Sequence, residues 1–247
     1  MNTFDANKVK EELIEWICDY FKENGSPKTK AVIGISGGKD SSIVAALCKE
    51  ALGKDRVFGV LMPQGIQDDI DVAYEICKIL DIPHVKVNVQ DSVQTLYDEI
   101  ENAGLELNNI VTFNTPARIR MAALYAISGI VGGRVANTCN LSENWVGYAT
   151  KFGDAAGDFS PLAELTVTEV KAIGRELGLA PKFIDKVPAD GLCGMTDEDN
   201  FGFSYVVLDR YIRENVCEDV SVKGRIDKMH SMSLHKLNPI PEYSIKR

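Results

Sequence analysis

Apolar residues recur at helical spacing at the start of the chain. Val9, Leu13, Ile14, Ile17, Tyr20 and Phe21 share one face, which predicts an amphipathic helix over residues 7–23 closed by the turn Asn24-Gly25-Ser26-Pro27. The period then changes. Residues 31–35 form a short apolar run without alternation, the pattern of a strand covered on both faces, and glycines and hydroxyls after it lead into a second helix. The alternation continues with a strand over 56–62, a helix around 68–80, a strand over 84–89 and a helix around 92–102. A long helical stretch from Thr115 to Gly132 precedes a further strand near 134–138. Strands alternating with helices predict an α/β protein with a doubly wound, mostly parallel sheet flanked by helices.

Beyond residue 138 the pattern loosens. Residues 139–161 are rich in Gly, Asp, Ala and Asn and read as a folded functional loop. Thr166 and Glu169 have capping-box spacing for a helix running to Leu177, with Gly178 after its end. Residues 181–200 read as irregular, and two further helices are expected over about 203–214 and 219–233.

The 247 residues suit one α/β domain spanning the chain. A formal charge of −9 disfavours an extended nucleic-acid footprint, although a few local cations can hold a small nucleotide. Cys18, Cys48, Cys77, Cys139, Cys193 and Cys217 follow no metal-ligand or dithiol spacing and read as plain thiols. The amino terminus has no signal-peptide pattern and no run approaches the length of a membrane span, so a cytoplasmic protein without membrane contact is expected.

The chemistry begins after the first strand. In Gly34-Ile35-Ser36-Gly37-Gly38-Lys39-Asp40-Ser41-Ser42, glycines permit close backbone approach, and the coming helix offers N–H groups and the positive end of its dipole to an anion. It is not a Walker loop: Ile33 stands where that motif needs glycine, and Asp40 where it needs Ser or Thr. An aspartate beside a phosphate site implies a divalent cation between them, so Asp40 is a candidate Mg2+ ligand.

The Ser-Gly-Gly-x-Asp-Ser element resembles the pyrophosphate-binding loop of the ATP pyrophosphatases, enzymes of the adenine nucleotide α-hydrolase-like, Rossmann-like fold that split ATP between its α and β phosphates. Downstream segments are similar to those of one member group, the ammonia-dependent NAD+ synthetases. These are Asn114-Thr-Pro-Ala-Arg118-Ile-Arg120-Met121, Thr138-Cys-Asn140-Leu-Ser-Glu143, and the stretch from Gly147 through Thr150, Lys151, Gly153, Asp154 and Asp158 to Pro161-Leu162. Pro188-Ala189-Asp190-Gly191-Leu192, Thr196-Asp197-Glu198 and His235-Lys236 add weaker matches, and the likeness runs from about residue 8 to 237. The resemblance implies ATP contacts at Gly34, Ser36, Gly37, Gly38, Lys39, Asp40, Ser41, Ser42 and Thr138. It implies Mg2+ on Asp40 and Glu143, and deamido-NAD+ contacts at Asn114, Arg118, Lys151, Asp158, His235 and Lys236. Asp40, Glu143, Ser36 and Lys151 are the expected catalytic set, and a homodimer with substrate near the subunit interface is implied.

Three positions depart from the family pattern. Val167 stands where relatives carry a lysine, Leu61 where an arginine is common, and Ala189 where Ser or Thr is expected, so a phosphate contact is expected to be missing. Lys39, where many relatives have Gln, is the expected substitute cation. The implied reaction joins ammonia to the nicotinic carboxylate through an acyl-adenylate, with AMP and pyrophosphate as products. With no second domain expected to carry a nucleophilic cysteine, free ammonia, or a separate protein supplying it, is the expected nitrogen source. The alternatives are a tRNA-modifying or other amidating ATP pyrophosphatase, which the charge of −9 disfavours, and a catalytically weakened nucleotide-binding relative.

Overall fold

The computed structural model describes residues 4–67, 69–185 and 196–245. Four parallel strands form the sheet: β1 (Lys30–Gly34), β2 (Val57–Leu61), β3 (His84–Lys86) and β4 (Gly133–Val135), in the order β3-β2-β1-β4. Helices α1 (Ala6–Glu23), α2 (Lys39–Leu52), α3 (Ile70–Leu80), α4 (Gln90–Asn102) and α5 (Asn109–Val131) alternate with them. Then follow α6 (Leu141–Val146), α7 (Val167–Glu176), α8 (Pro181–Ile184), α9 (Asp197–Phe201), α10 (Tyr205–Glu214) and α11 (Val220–Leu237). The expected doubly wound sheet is present.

Side-chain alternation along β1 explains why it reads as continuously apolar. Ala31 and Ile33 enter the core formed with α1, α2, α3 and α7, whereas Val32 joins Val60, Leu124 and Val135 under α5 on the other face. The chain winds from β1 to β2 and β3 on one side and returns to place β4 on the other. The loops after β1 and β4 therefore diverge, leaving a crevice at the carboxyl ends of the strands.

The structure differs from the sequence reading at several ends. The expected loop over 139–161 contains the one-and-a-half-turn helix α6, and 181–200 contains α8 and α9. The third strand stops as a regular strand at Lys86, yet the N–H groups of Val87 and Val89 still donate to Leu61 and Pro63 carbonyls, so pairing continues irregularly along this edge. Helix α11 runs four residues beyond the expected end, to Leu237. A smaller apolar cluster of Val146, Val167, Phe201, Phe203, Tyr205, Leu208 and Ile226 packs α9, α10 and α11 against α6 and α7.

Candidate active site

The glycine loop occupies the turn from β1 into α2. Gly37 has φ +77°, and a Cβ there would lie 2.9 Å from the Ala73 nitrogen, so glycine is needed both for the turn and for the approach of α3. Gly38 is the N-cap of α2 and caps it without a side chain, leaving the first N–H groups to an anion. The Ser36 hydroxyl accepts from the Gly38 N–H at 3.2 Å and bonds the Ser41 hydroxyl at 3.1 Å, while the Ser42 hydroxyl donates to the Gly38 carbonyl at 2.7 Å. The serines thus shape the loop.

Helix α6 brings the second carboxylate. Asn140 is its N-cap: its side-chain oxygen accepts from the Glu143 N–H at 3.0 Å, and Glu143 reaches back to the Asn140 N–H. The same side chain donates Nδ2 to Asp40 Oδ1 at 3.1 Å. One buried amide therefore caps α6 and ties it to the glycine loop.

Lys39 stands between the carboxylates. Its Nζ lies 2.8 Å from Asp40 Oδ2 and 3.5 Å from Glu143 Oε1, and 5.7 Å from the centre of the Tyr205 ring, with the side chain only 3% exposed. Burial by itself would lower the Lys39 pKa, but Asp40 and then Glu143 outweigh it and leave it raised. Burial and the neighbouring Asp40 raise the Glu143 pKa. A third carboxylate, Asp197, receives the Tyr205 hydroxyl at 3.0 Å, and its pKa is raised, chiefly by burial. The Lys39 ammonium, expected as a substitute phosphate cation, is here engaged by carboxylates.

Asp40 and Glu143 bracket one ammonium, and carboxylate oxygens are the donors a hard divalent cation takes. Among the described residues no three His, Cys, Asp or Glu side chains form a metal cage. Two carboxylates completed by substrate phosphates is the usual arrangement for Mg2+, so Asp40 and Glu143 fit that role.

The other expected site residues fall into two groups. Asn114 accepts from the Thr150 hydroxyl at 2.8 Å, and Arg118 donates Nε to the Lys151 carbonyl at 3.2 Å, so α5 and the segment after α6 form one surface. Lys151 Nζ donates to the His235 carbonyl, and Lys236 Nζ donates to the Gly147 and Ala149 carbonyls at 2.7 and 3.0 Å. The His-Lys pair, which in isolation would read as solvated surface, therefore clamps the end of α11 onto this segment. Gly147 makes the clamp possible: at φ +70° it ends α6, and a Cβ would meet Ser233 Cβ at 2.4 Å. Thr138 is half-buried just beyond β4.

Asp158 belongs elsewhere. Its carboxylate accepts from the Val135 N–H at 2.7 Å and the Tyr125 hydroxyl at 3.2 Å. With Tyr20, Arg134 and Thr29 it lines a polar cavity of about 590 Å³ where the chain enters β1. Its partner Val135 stands beside Val32 in the middle of β1, so the glycine loop begins about 10 Å further along that strand. Leu61 and Val167, where the resemblance leads cations to be expected, are both buried among apolar side chains. The segment from Pro188 to Leu192, with Ala189, and also Cys193, lie outside the described residues. Asn140 and Tyr205 were not singled out from the sequence; an Asn-x-x-Glu capping pattern was the available signal for the first.

A glycine loop at the switch point of a doubly wound parallel sheet, faced by carboxylates from a second strand end, defines a nucleotide-binding α/β enzyme of the adenine nucleotide α-hydrolase type. The NAD synthase family model matches residues 9–243, and the chain belongs to that family of ATP-using ligases. The chain is 35% identical to the NH3-dependent NAD+ synthetase of Pyrococcus furiosus over 250 residues, covering 96% of this chain and 94% of that protein. Among solved structures it is similar to an NMN synthetase from Francisella tularensis, with TM-score 0.89, 28% identity and coverage of 98% and 100% of the two chains. The NH3-dependent NAD synthetase of Campylobacter jejuni, determined with a nitrate ion, has TM-score 0.78, 29% identity and the same coverage.

Proposed function

We propose that the chain makes NAD+ from deamido-NAD+, ammonia and ATP, with Mg2+ held by Asp40 and Glu143. The observation that carries this reading is the convergence of those two carboxylates beside an uncapped helix N-terminus. The nicotinic carboxylate is a poor acylating group. Its oxygen attacks the α-phosphorus of ATP, pyrophosphate leaves, and ammonia then displaces AMP from the acyl carbon. A divalent cation on the two carboxylates supplies neutralising charge to the leaving pyrophosphate. The loop N–H groups orient the phosphates, Ser36, Ser41 and Ser42 hold the loop's shape, and no protein nucleophile is needed.

Arg118 and Lys151 form the surface assigned to the dinucleotide. A homodimer with substrate near the subunit interface is part of the same reading. Helix α5 has the surface for this: Ile110, Phe113, Tyr125 and Ile130 are exposed, and Leu96 and Leu105 are exposed on and after α4. Among the described residues no helix is long and apolar enough to cross a membrane, and a cytoplasmic location fits the proposed use of ATP.

The TM-score of 0.89 with the NMN synthetase favours a second reading, in which the acceptor is the mononucleotide acid. One experiment separates the two. Protein, MgATP and ammonium are incubated with deamido-NAD+ or with nicotinic acid mononucleotide, and NAD+, NMN, AMP and pyrophosphate are quantified. NAD+, AMP and pyrophosphate in equal amounts, at a kcat/KM well above that for NMN formation, is expected. Preferential NMN formation supports the second reading, and no amide product from either acid overturns both.

A further inference from the structure

Resting on the reading of Asp40 and Glu143 as metal ligands, we propose that Lys39 is a built-in counterion that holds these carboxylates in the nucleotide-free enzyme and must leave them when the divalent cation binds. The geometry is specific. The Lys39 ammonium is 2.8 Å from Asp40 and 3.5 Å from Glu143, the two side chains assigned to the metal, so ammonium and metal compete for the same oxygens. The Tyr205 ring covers a further side at 5.7 Å, and Asp197 adds attraction through space. Only 3% of the lysine side chain is exposed, so water does not screen the pair effectively.

The position in the fold supplies the alternative partner. Lys39 is the first residue of α2, directly after the N-cap Gly38, on the loop assigned to the phosphates. Arrival of the metal with its nucleotide exchanges partners: the metal takes the carboxylates and the ammonium takes a phosphate. Charge remains paired throughout. The lysine then disfavours binding of a bare metal ion and favours binding of metal and nucleotide together, a coupling that an uncharged residue at this position does not provide.

Mn2+ alone is the probe, titrated at pH 8.5 into the full chain without nucleotide and followed by the loss of free-ion paramagnetic resonance signal. Lys39→Gln is expected to bind Mn2+ at least about ten-fold more tightly than wild type, and Lys39→Arg, which keeps the charge, to stay within about three-fold of wild type. Melting scans in EDTA and in Mn2+ add a structural readout: the glutamine variant should be stabilised by the metal more than wild type is. Equal Mn2+ affinity in wild type and Lys39→Gln, with both folded by circular dichroism, overturns the proposal. A glutamine variant that folds only with Mn2+ supports it. Wild-type NAD+ formation is measured beside these titrations: equal affinities in an active enzyme reject the counterion role alone, and an inactive wild type rejects the synthetase reading itself.

Discussion

Asn140 joins the two halves of the site: its Nδ2 donates to Asp40 at 3.1 Å while its Oδ1 caps α6 through the Glu143 N–H at 3.0 Å. Cap and carboxylate orientation are thus functions of one side chain, and substitution separates them. Asn140→Ser keeps a competent cap but is too short to reach Asp40, so stability should be near wild type while kcat falls about 10- to 100-fold. Asn140→Ala should show the same kinetic loss plus about 1 kcal/mol of destabilisation. Asp40→Asn and Glu143→Gln set the scale, each nearly abolishing turnover. Steady-state kinetics with thermal melts measure this, and a serine variant with full kcat would show that Asp40 needs no help from Asn140.

Asp209 holds the smaller lobe to the rest. Buried on α10, it accepts from the Ser142 hydroxyl on α6, and from the Thr168 N–H at 2.8 Å and hydroxyl at 2.6 Å on α7. Asp209→Ala strands these donors, which costs on the order of 3 kcal/mol and, in a chain of this size, about 10 °C in Tm. Chemical denaturation of wild type and variant measures it. A change below about 0.5 kcal/mol would mean that water replaces the carboxylate.

Sequence alone revealed the framework where chemistry and chain order coincide. The glycine loop is consecutive in sequence, so its strand, turn and helix were all legible, as was the Thr166–Glu169 capping box that starts α7. Helix α6 escaped because six residues carry too little periodicity, although its Asn140–Glu143 capping pattern was visible. Helix α11 runs past residue 233 because no Gly or Pro lies between there and Asn238-Pro239. The direction of the Lys39 side chain was invisible, because it depends on Glu143 and Tyr205, which only the fold brings near. Asp158 kept its motif, but the cavity it lines with Tyr20, Thr29 and Arg134 is a neighbourhood that spacing along a loop does not encode.

The cysteines should sort by burial. Cys48, Cys77 and Cys139 are buried, and burial raises all three thiols, Cys77 to about 11; Cys18 and Cys217 are half-buried. Since the thiolate is the reactive form, alkylation of the native protein at pH 8 should modify Cys18 and Cys217 before the other three described cysteines, which should react once denaturant is added. Raising the pH to 10 should speed Cys77 while the fold persists. Peptide mass spectrometry reads each site, and early labelling of Cys139 in native protein would contradict the packing beside Asp154 and Glu143.

Arg118 and Arg120 lie two residues apart on α5 and should fail differently when changed to glutamine. Arg120 is half-buried, with Nε donating to the Met62 carbonyl at 2.9 Å just past β2, and burial lowers its pKa. Removing that guanidinium leaves a carbonyl and a cavity in the interior, so Arg120→Gln should cost about 1–3 kcal/mol. Arg118 is exposed, and its Nε reaches the Lys151 carbonyl at 3.2 Å, leaving the rest of the guanidinium open to solvent. Arg118→Gln should leave Tm within about 2 °C of wild type and raise the KM for the dinucleotide roughly ten-fold, as loss of one charge-assisted contact does. Melting curves and kinetics on both variants check the contrast. If Arg118→Gln lowers Tm and leaves KM unchanged, its role is to brace the Lys151 segment, and the dinucleotide surface must be sought elsewhere.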